Sequence, residues 1–150
     1  MWWRALFAFL ALPGVVAIAV PAFLAAGELR RGTTPHPAGF VLLAAGAFLL
    51  LWCVRDFYVV GKGTLAPWSP PRQLVTTGLY RFSRNPMYVA VAAMLAGWSL
   101  AFLSPALATY TGFVIVAFHL RVLFGEEPWL ARTHGAAWLE YKTRVPRWLL

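Results

Sequence analysis

An all-α fold embedded in a membrane is predicted by three observations. The chain of 150 residues is 61% apolar and only 12% charged, where a soluble domain is about 45–50% apolar and about 25% charged. Four long apolar stretches punctuate it, and its basic residues gather beside them. A water-soluble fold of this size has too little interior to hide that much apolar surface, so the bilayer must act as solvent for much of it.

The stretches are residues 5–26, 38–54 with an extension towards 60, 86–103 and 106–124. Each approaches the ~20 residues that cross a hydrocarbon core. Pro13 and Pro21 interrupt the first, which membrane helices tolerate. Met1–Arg4, the apolar run and Ala25-Ala26-Gly27 also have some character of a secretory signal, although the run is long for a signal's apolar core. Ser104-Pro105 is the break between the third and fourth stretches and predicts a tight helical hairpin. Over 128–145, Leu130, His134, Trp138, Tyr141 and Val145 recur every three or four residues while Arg132, Glu140, Lys142 and Arg144 fall largely elsewhere. That pattern predicts a fifth, amphipathic helix lying at the membrane interface. The expected architecture is therefore about four transmembrane helices and a C-terminal interfacial helix.

The formal charge is +8, from 13 Lys and Arg against 5 Asp and Glu. Beside apolar runs such a surplus points to anionic lipid headgroups rather than nucleic acid. Arg55, Lys62, Arg72, Arg81 and Arg84 lie between the second and third stretches, and Arg132, Lys142, Arg144 and Arg147 lie in the tail. The positive-inside rule then puts that connection, the tail and both termini in the cytoplasm; Arg30 and Arg31, partly offset by Glu28, run against it. Cys53 stands alone, so neither an internal disulfide nor a paired-cysteine zinc site is available.

Three clusters have the residue types for chemistry. In Gly78-Leu-Tyr-Arg-Phe-Ser-Arg-Asn-Pro-Met-Tyr88, Asn85 suits a helix N-cap and Pro86 the first helical position. The same segment gathers Tyr80, Arg81, Arg84, Asn85 and Tyr88 at a helix N-terminus, whose free N–H groups and dipole favour a carboxylate. Glu126-Glu127-Pro128 holds two of the chain's five acids at an expected helix break. They equally suit dipole compensation or the binding of hydroxyls and cations. His119 and Arg121 lie deep in an apolar run, where ionisable groups usually face a cavity or a partner, though Arg121 can also snorkel to the surface. The third cluster, from Gly135 through Tyr141 to Arg144-Val-Pro-Arg147, reads by itself as a surface helix ended by Pro146.

Taken in order, these clusters resemble the isoprenylcysteine carboxyl methyltransferase family in its bacterial branch, and the related phospholipid N-methyltransferases. Gly97-Trp98, His119 ahead of the acid pair, and Gly61-Lys-Gly-Thr-Leu-Ala-Pro-Trp-Ser-Pro-Pro71 add to the likeness, which covers roughly 61–150. The resemblance implies one membrane domain over 1–150, with two helices in 1–60 and a cofactor-binding core in 61–150. It implies S-adenosylmethionine as cofactor and Tyr80, Arg84, Asn85, Tyr88, Glu126, Glu127, Tyr141 and Arg144 as its contacts. His119, Glu126 and Glu127 are the expected catalytic residues, and no metal is expected. Many members of the carboxyl branch have His where this chain has Asn85, and Asn cannot titrate, so Asn85 is expected to bind. A lipid-like or prenylated acceptor is implied, with carboxylate O-methylation favoured and N-methylation of an ethanolamine-type phospholipid as the alternative, in the bacterial inner membrane. The same helices also suit a non-enzymatic membrane scaffold or a nicotinamide-dependent reductase.

Overall fold

The computed structural model describes residues 10–61 and 73–149, and among these the chain is helical without strands. The signal-like first residues and all of the 61–71 motif except Gly61 lie outside the described residues. A π-helical run, Leu10–Ala19, continues into α1 (Val20–Arg30). It is followed by α2 (Pro37–Val59), a 3-10 turn (Gly78–Arg81), α3 (Pro86–Phe102), α4 (Pro105–Arg121), a π-helical turn (Val122–Glu126) and α5 (Glu127–Arg144).

Pro13–Arg30, Pro37–Val59 and the helical path that starts at Pro105 are each long and apolar enough to cross a membrane. The remaining apolar helix, α3, has 17 residues, about 25 Å at 1.5 Å per residue. Its brevity goes with a central place, for α3 buries Ala90, Val91, Met94, Leu95, Ala101 and Phe102 among its neighbours. The other helices turn Phe23, Phe48, Phe113 and Val116 outward, as a hydrocarbon solvent allows. The protein is an all-α integral membrane protein.

Lipid tails are as apolar as leucine, so helices in a bilayer associate through close packing and shared hydrogen bonds. Both are present here. The buried stripe of α2 is Gly39, Gly46, Leu50, Cys53 and Asp56. A Cβ on Gly39 would stand 2.2 Å from the Ala101 backbone nitrogen, one on Gly46 2.8 Å from Met94, and one on Gly97 2.6 Å from the Leu43 nitrogen. The small residues around Ala44-Ala45-Gly46 thus include one, Gly46, that serves contact within the bundle. Polar links tie α3 to its other neighbours. Ser99 and Thr111 share a hydrogen bond of 3.0 Å. Pro21 has no N–H, so the Ala17 carbonyl lacks its ordinary α-helical partner; Trp98 Nε1 donates to that carbonyl at 3.0 Å.

The hairpin after α3 forms as expected. Leu103 turns through the left-handed region at φ 47, Ser104 caps α4 by accepting from the Leu107 N–H, and Pro105 takes the first helical turn. Ser104 also donates to Glu28 at 2.7 Å, so the end of α1 and this hairpin lie at one end of the bundle. The 3-10 turn, the start of α3 and the tail lie at the other.

One expectation is corrected. The chain does not break at Glu126-Glu127-Pro128; Glu127 is helical at φ −61, ψ −44, and the path from α4 to α5 is continuous through the π-helical turn. A proline ring collides with the carbonyl four residues back in a regular α-helix, and the wider turn just before Pro128 accommodates it. The tail helix exists with the expected face: Trp138 and Tyr141 are buried with Val145, and Leu130 and Leu74 pack against them. Gly135, at φ 49, ψ −120, is not helical, so α5 is two helices that meet at a kink there rather than the single helix expected; that conformation is open to glycine alone at low cost.

Gly97→Leu should therefore destabilise the bundle by at least about 2 kcal/mol, seen as a fall in the thermal unfolding midpoint in detergent. Gly112→Ala, where an added Cβ meets nothing within 4 Å, should leave the midpoint unchanged or slightly raised.

Candidate active site

Two adjacent carboxylates at the join of α4 and α5 face different partners. Glu127 accepts from Arg84 Nη1 at 2.8 Å and is clasped on both oxygens by Arg147, Nε at 2.8 Å and Nη2 at 3.0 Å. Glu126 accepts from the Tyr88 hydroxyl and, at 2.9 Å, from Arg121 Nε, which also reaches the Tyr88 oxygen at 3.1 Å. Arg84 and Tyr88 are four residues apart at the start of α3, so one helix terminus supplies a partner to each acid. The π-helical turn matters here because it sets the angular offset between Glu126 and the last turn of α4.

The Arg84–Glu127 pair is buried, with side-chain exposures of 7% and 11%. Trp138 covers the Arg84 guanidinium, 5.4 Å from the ring centroid. Burial lowers the pKa of Arg84 and is opposed by the charge of Glu127. For Glu127 burial works against ionisation, but hydrogen bonds from Arg147 and the charges of Arg84 and Arg147 outweigh it and hold the carboxyl below its ordinary value. Two cations share one anion, so the cluster keeps a net positive charge. Its spare donor is Arg84 Nε, which is buried and has no partner among the described residues.

The chain after α5 straps this cluster down. The Pro146 carbonyl accepts from the Arg84 N–H at 2.9 Å, and the Arg147 carbonyl accepts from Asn85 Nδ2 at 3.0 Å and Ser83 Oγ at 3.3 Å. Asn85 occupies the N-cap position of α3, yet its side chain makes no capping bond; it reaches for the strap instead. Tyr141 donates to the Tyr80 carbonyl at 2.6 Å, and burial, opposed by the charge of Arg84, raises its hydroxyl to about 12. The Tyr80 hydroxyl is buried without a partner among the described residues, and burial, joined by the nearby Cys53, drives its pKa well up, so it stays a donor.

Seven of the expected residues thus gather at one end of the bundle: Tyr80, Arg84, Asn85, Tyr88, Glu126, Glu127 and Tyr141. Arg144 does not join them. It pairs with Glu140 one helical turn away at 2.9 Å, both side chains about 70% exposed, because its position in α5 points it to the surface. Arg147 takes the place at Glu127, since Pro146 ends the helix and turns the next side chain inward. His119 is exposed on α4, its ring 6.0 Å from that of Trp148. Arg147 and Trp138 are contacts that sequence reasoning did not assign to the site, while Arg121, singled out beside His119, finds its partners in Glu126 and Tyr88. Five acids for thirteen bases was the available signal, because each acid in so apolar a chain must find a cation.

The fold and the site define a class: a helical membrane protein with an arginine- and carboxylate-lined polar site at one end of its bundle. Residues 35–137, more than half of the chain, match the phospholipid methyltransferase family, and the chain belongs to it. It is a membrane methyltransferase by family. The match holds Tyr80, Arg84, Asn85, Tyr88 and both acids, and it ends before the strap. The family found is that of the phospholipid relatives, which leaves the isoprenylcysteine branch without a match of its own. No curated protein and no solved structure matches the chain.

Glu127→Ala should destabilise the protein by about 3–5 kcal/mol, because it strands a buried guanidinium, while Arg144→Ala should cost less than about 1 kcal/mol; thermal melts separate them. The lowered Glu127 carboxyl contributes stability that is present above its unfolded value of about 4.3 and lost as pH falls through its lower folded value. Docking of the tail, followed by the fluorescence of Trp148, should accordingly be flat from about pH 5 upward and fail only in stronger acid.

Proposed function

We propose that the protein transfers a methyl group from S-adenosylmethionine to the headgroup of a membrane lipid, at the cytoplasmic face of a bacterial inner membrane. The observation that carries this reading is the buried Arg84 Nε, a charged donor left over at the start of α3 in a cluster of net positive charge. A carboxylate is the complement of such a donor, and the Tyr80 hydroxyl is a second buried donor without a partner among the described residues. The cofactor offers a carboxylate for these groups and, when bound, supplies an electrophilic methyl whose loss turns its sulfonium into a thioether.

The protein's part is to bind, align and keep dry. Arg84, Tyr80 and Asn85 are assigned to cofactor binding at the start of α3, with Tyr141 holding the Tyr80 backbone in place. Glu127 is saturated by Arg84 and Arg147, which suits it to hold the strap and not to take a proton. Glu126 is less enclosed, with 33% of its side chain exposed. An amine acceptor arrives protonated, and its nitrogen attacks only after losing that proton; Glu126 is the group assigned to accept it, with His119 as the alternative base. Arg81, Arg84 and the tail lie at the same end as this site, which is the end that the positive-inside rule assigns to the cytoplasm. A carboxylate acceptor is the second reading, supported by the motifs shared with the isoprenylcysteine branch, and it requires no base.

Isothermal titration of the detergent-purified protein with S-adenosylmethionine and its demethylated product should show binding, and Asn85→Ala should weaken it about tenfold. No heat at millimolar ligand from a folded sample would sink the proposal. Membranes supplied with methyl-labelled cofactor should carry label in extracted lipid. Loss of that label from a His119→Ala protein, with cofactor binding intact, is expected for an amine acceptor; unchanged turnover would remove His119 from the proton path.

A further inference from the structure

The end of the bundle away from the candidate site carries an open groove of about 540 Å³ between α3 and α4, within the roughly 300–1,000 Å³ of ligand-sized clefts. Ala96, Ser99 and Ala108 are too small to fill it, and Leu100 and Leu103 line it as exposed side chains. Its hydroxyls are already engaged. Those of Ser99 and Thr111 lie 3.0 Å apart, and each also reaches a carbonyl of its own helix, Leu95 at 3.0 Å and Leu107 at 2.8 Å. A water molecule needs roughly two to four polar partners, so the hollow suits apolar matter. Left unfilled, its lining would forfeit dispersion contacts. In a bilayer the filler at hand is a hydrocarbon tail.

The charge at its end sets this groove apart from an ordinary lipid-facing surface. Ser104, part of the groove wall, donates to Glu28 at 2.7 Å, and the same Glu28 oxygen accepts from Arg31 Nη1 at 3.4 Å. Two bonds thus link the groove to a guanidinium at the end of α1. The Glu28 side chain is 14% exposed and that of Arg31 76%, so the acid is held inward and the base faces out with most of its donors. Arg30 beside it is exposed as well. Two bases against one acid leave the cluster with a single surplus positive charge. These are also the two arginines that the positive-inside rule leaves unexplained. An anion bound at that end accounts for them, and a phosphate is the natural partner of a planar arginine fork.

We propose that the α3–α4 groove and the Arg30–Arg31 cluster together hold one anionic phospholipid of the phosphatidylglycerol type, in the leaflet away from the candidate site. An acyl chain lies against Ala96, Ser99 and Ala108, Arg31 takes the phosphate, and Arg30 adds charge. Such a headgroup carries one net negative charge, which the surplus of the cluster balances. A zwitterionic headgroup brings its own cation and gains less. A second copy related by a twofold axis along the bilayer normal would bring its own two arginines to the same level, so charge disfavours it as the occupant. The lipid is structural, neither cofactor nor acceptor, and the proposal rests on the membrane fold alone.

The test uses the full chain, delipidated in a neutral maltoside detergent and titrated with dioleoyl phosphatidylglycerol or dioleoyl phosphatidylcholine, with bound lipid per chain read by native mass spectrometry. Wild type should hold one phosphatidylglycerol and bind phosphatidylcholine about ten- to thirtyfold more weakly. Arg30→Gln combined with Arg31→Gln should erase that preference and leave the thermal midpoint of the lipid-free protein unchanged, since both side chains are exposed. Ala108→Leu, which fills the groove from an exposed position, should weaken both lipids about tenfold or more. Equal wild-type affinity for the two lipids overturns the proposal, as does an undiminished preference in the arginine variant, which decides the matter even where Ala108→Leu fails to fold. Undiminished binding by a folded Ala108→Leu protein also overturns it. Displacement by glycerol phosphate would mean a free-anion site, and a dimer that Ala108→Leu dissociates would give the groove to a second copy; either result overturns it too. The readout involves neither S-adenosylmethionine nor turnover, so failure of the methyl-transfer reading leaves this proposal standing, and its own failure leaves that reading untouched.

Discussion

Glu127 shared between Arg84 and Arg147 is the contact on which the rest of this end of the molecule depends. Arg84 lies just before α3, Glu127 opens α5, and Arg147 follows the end of α5. One carboxylate therefore joins the central helix of the bundle to both ends of the tail. Burying two guanidiniums near an apolar interior is unfavourable unless they are paired, and the chain has one acid there for both. The strap's carbonyls, the Tyr141–Tyr80 bond and the cover of Trp138 follow from that docking, because each is made by a residue whose place the clasp sets.

The bundle beneath is built to hold that point still. Close approach of α2 and α3 through Gly39, Gly46 and Gly97 brings the start of α3 and the end of α2 to one level. Hydrogen bonds from Trp98 and Tyr110 to the π-helical run near the N-terminus satisfy carbonyls in a segment disturbed by proline. The π-helical turn at Val122–Glu126 lets the helix continue past Pro128 and turns neighbouring acids to different tasks. Glu127 holds the tail, and Glu126 faces the lipid-exposed side with Tyr88 and Arg121.

Much of this was legible in the residues. The membrane fold followed from apolar content and stretch length, the hairpin from Ser104-Pro105, and the face of the tail helix from Leu130, Trp138, Tyr141 and Val145. The ordered motifs, none of them sufficient alone, led to the membrane methyltransferases, though the family that matches is the phospholipid relative and not the isoprenylcysteine branch they resembled first. What misled was proline. Pro128 read as a helix break and proved to be carried by a wider helical turn. Arg144 and Arg147 could not be ranked by spacing, because a side chain's direction after Pro146 depends on where the strap docks.

The sequence by itself determined that this chain is an all-helical membrane protein, with its candidate site residues at the start of one helix, the end of the next and the tail. Hydrophobic length, charge placement and local caps are one-dimensional properties, and they suffice for that. Only the tertiary structure decided which arginine meets which acid, and that Asn85 serves the strap and not its own helix. Those outcomes depend on distances between residues some 20 to 60 positions apart, which packing at the glycine contacts and the proline-widened turn sets and which no local pattern encodes.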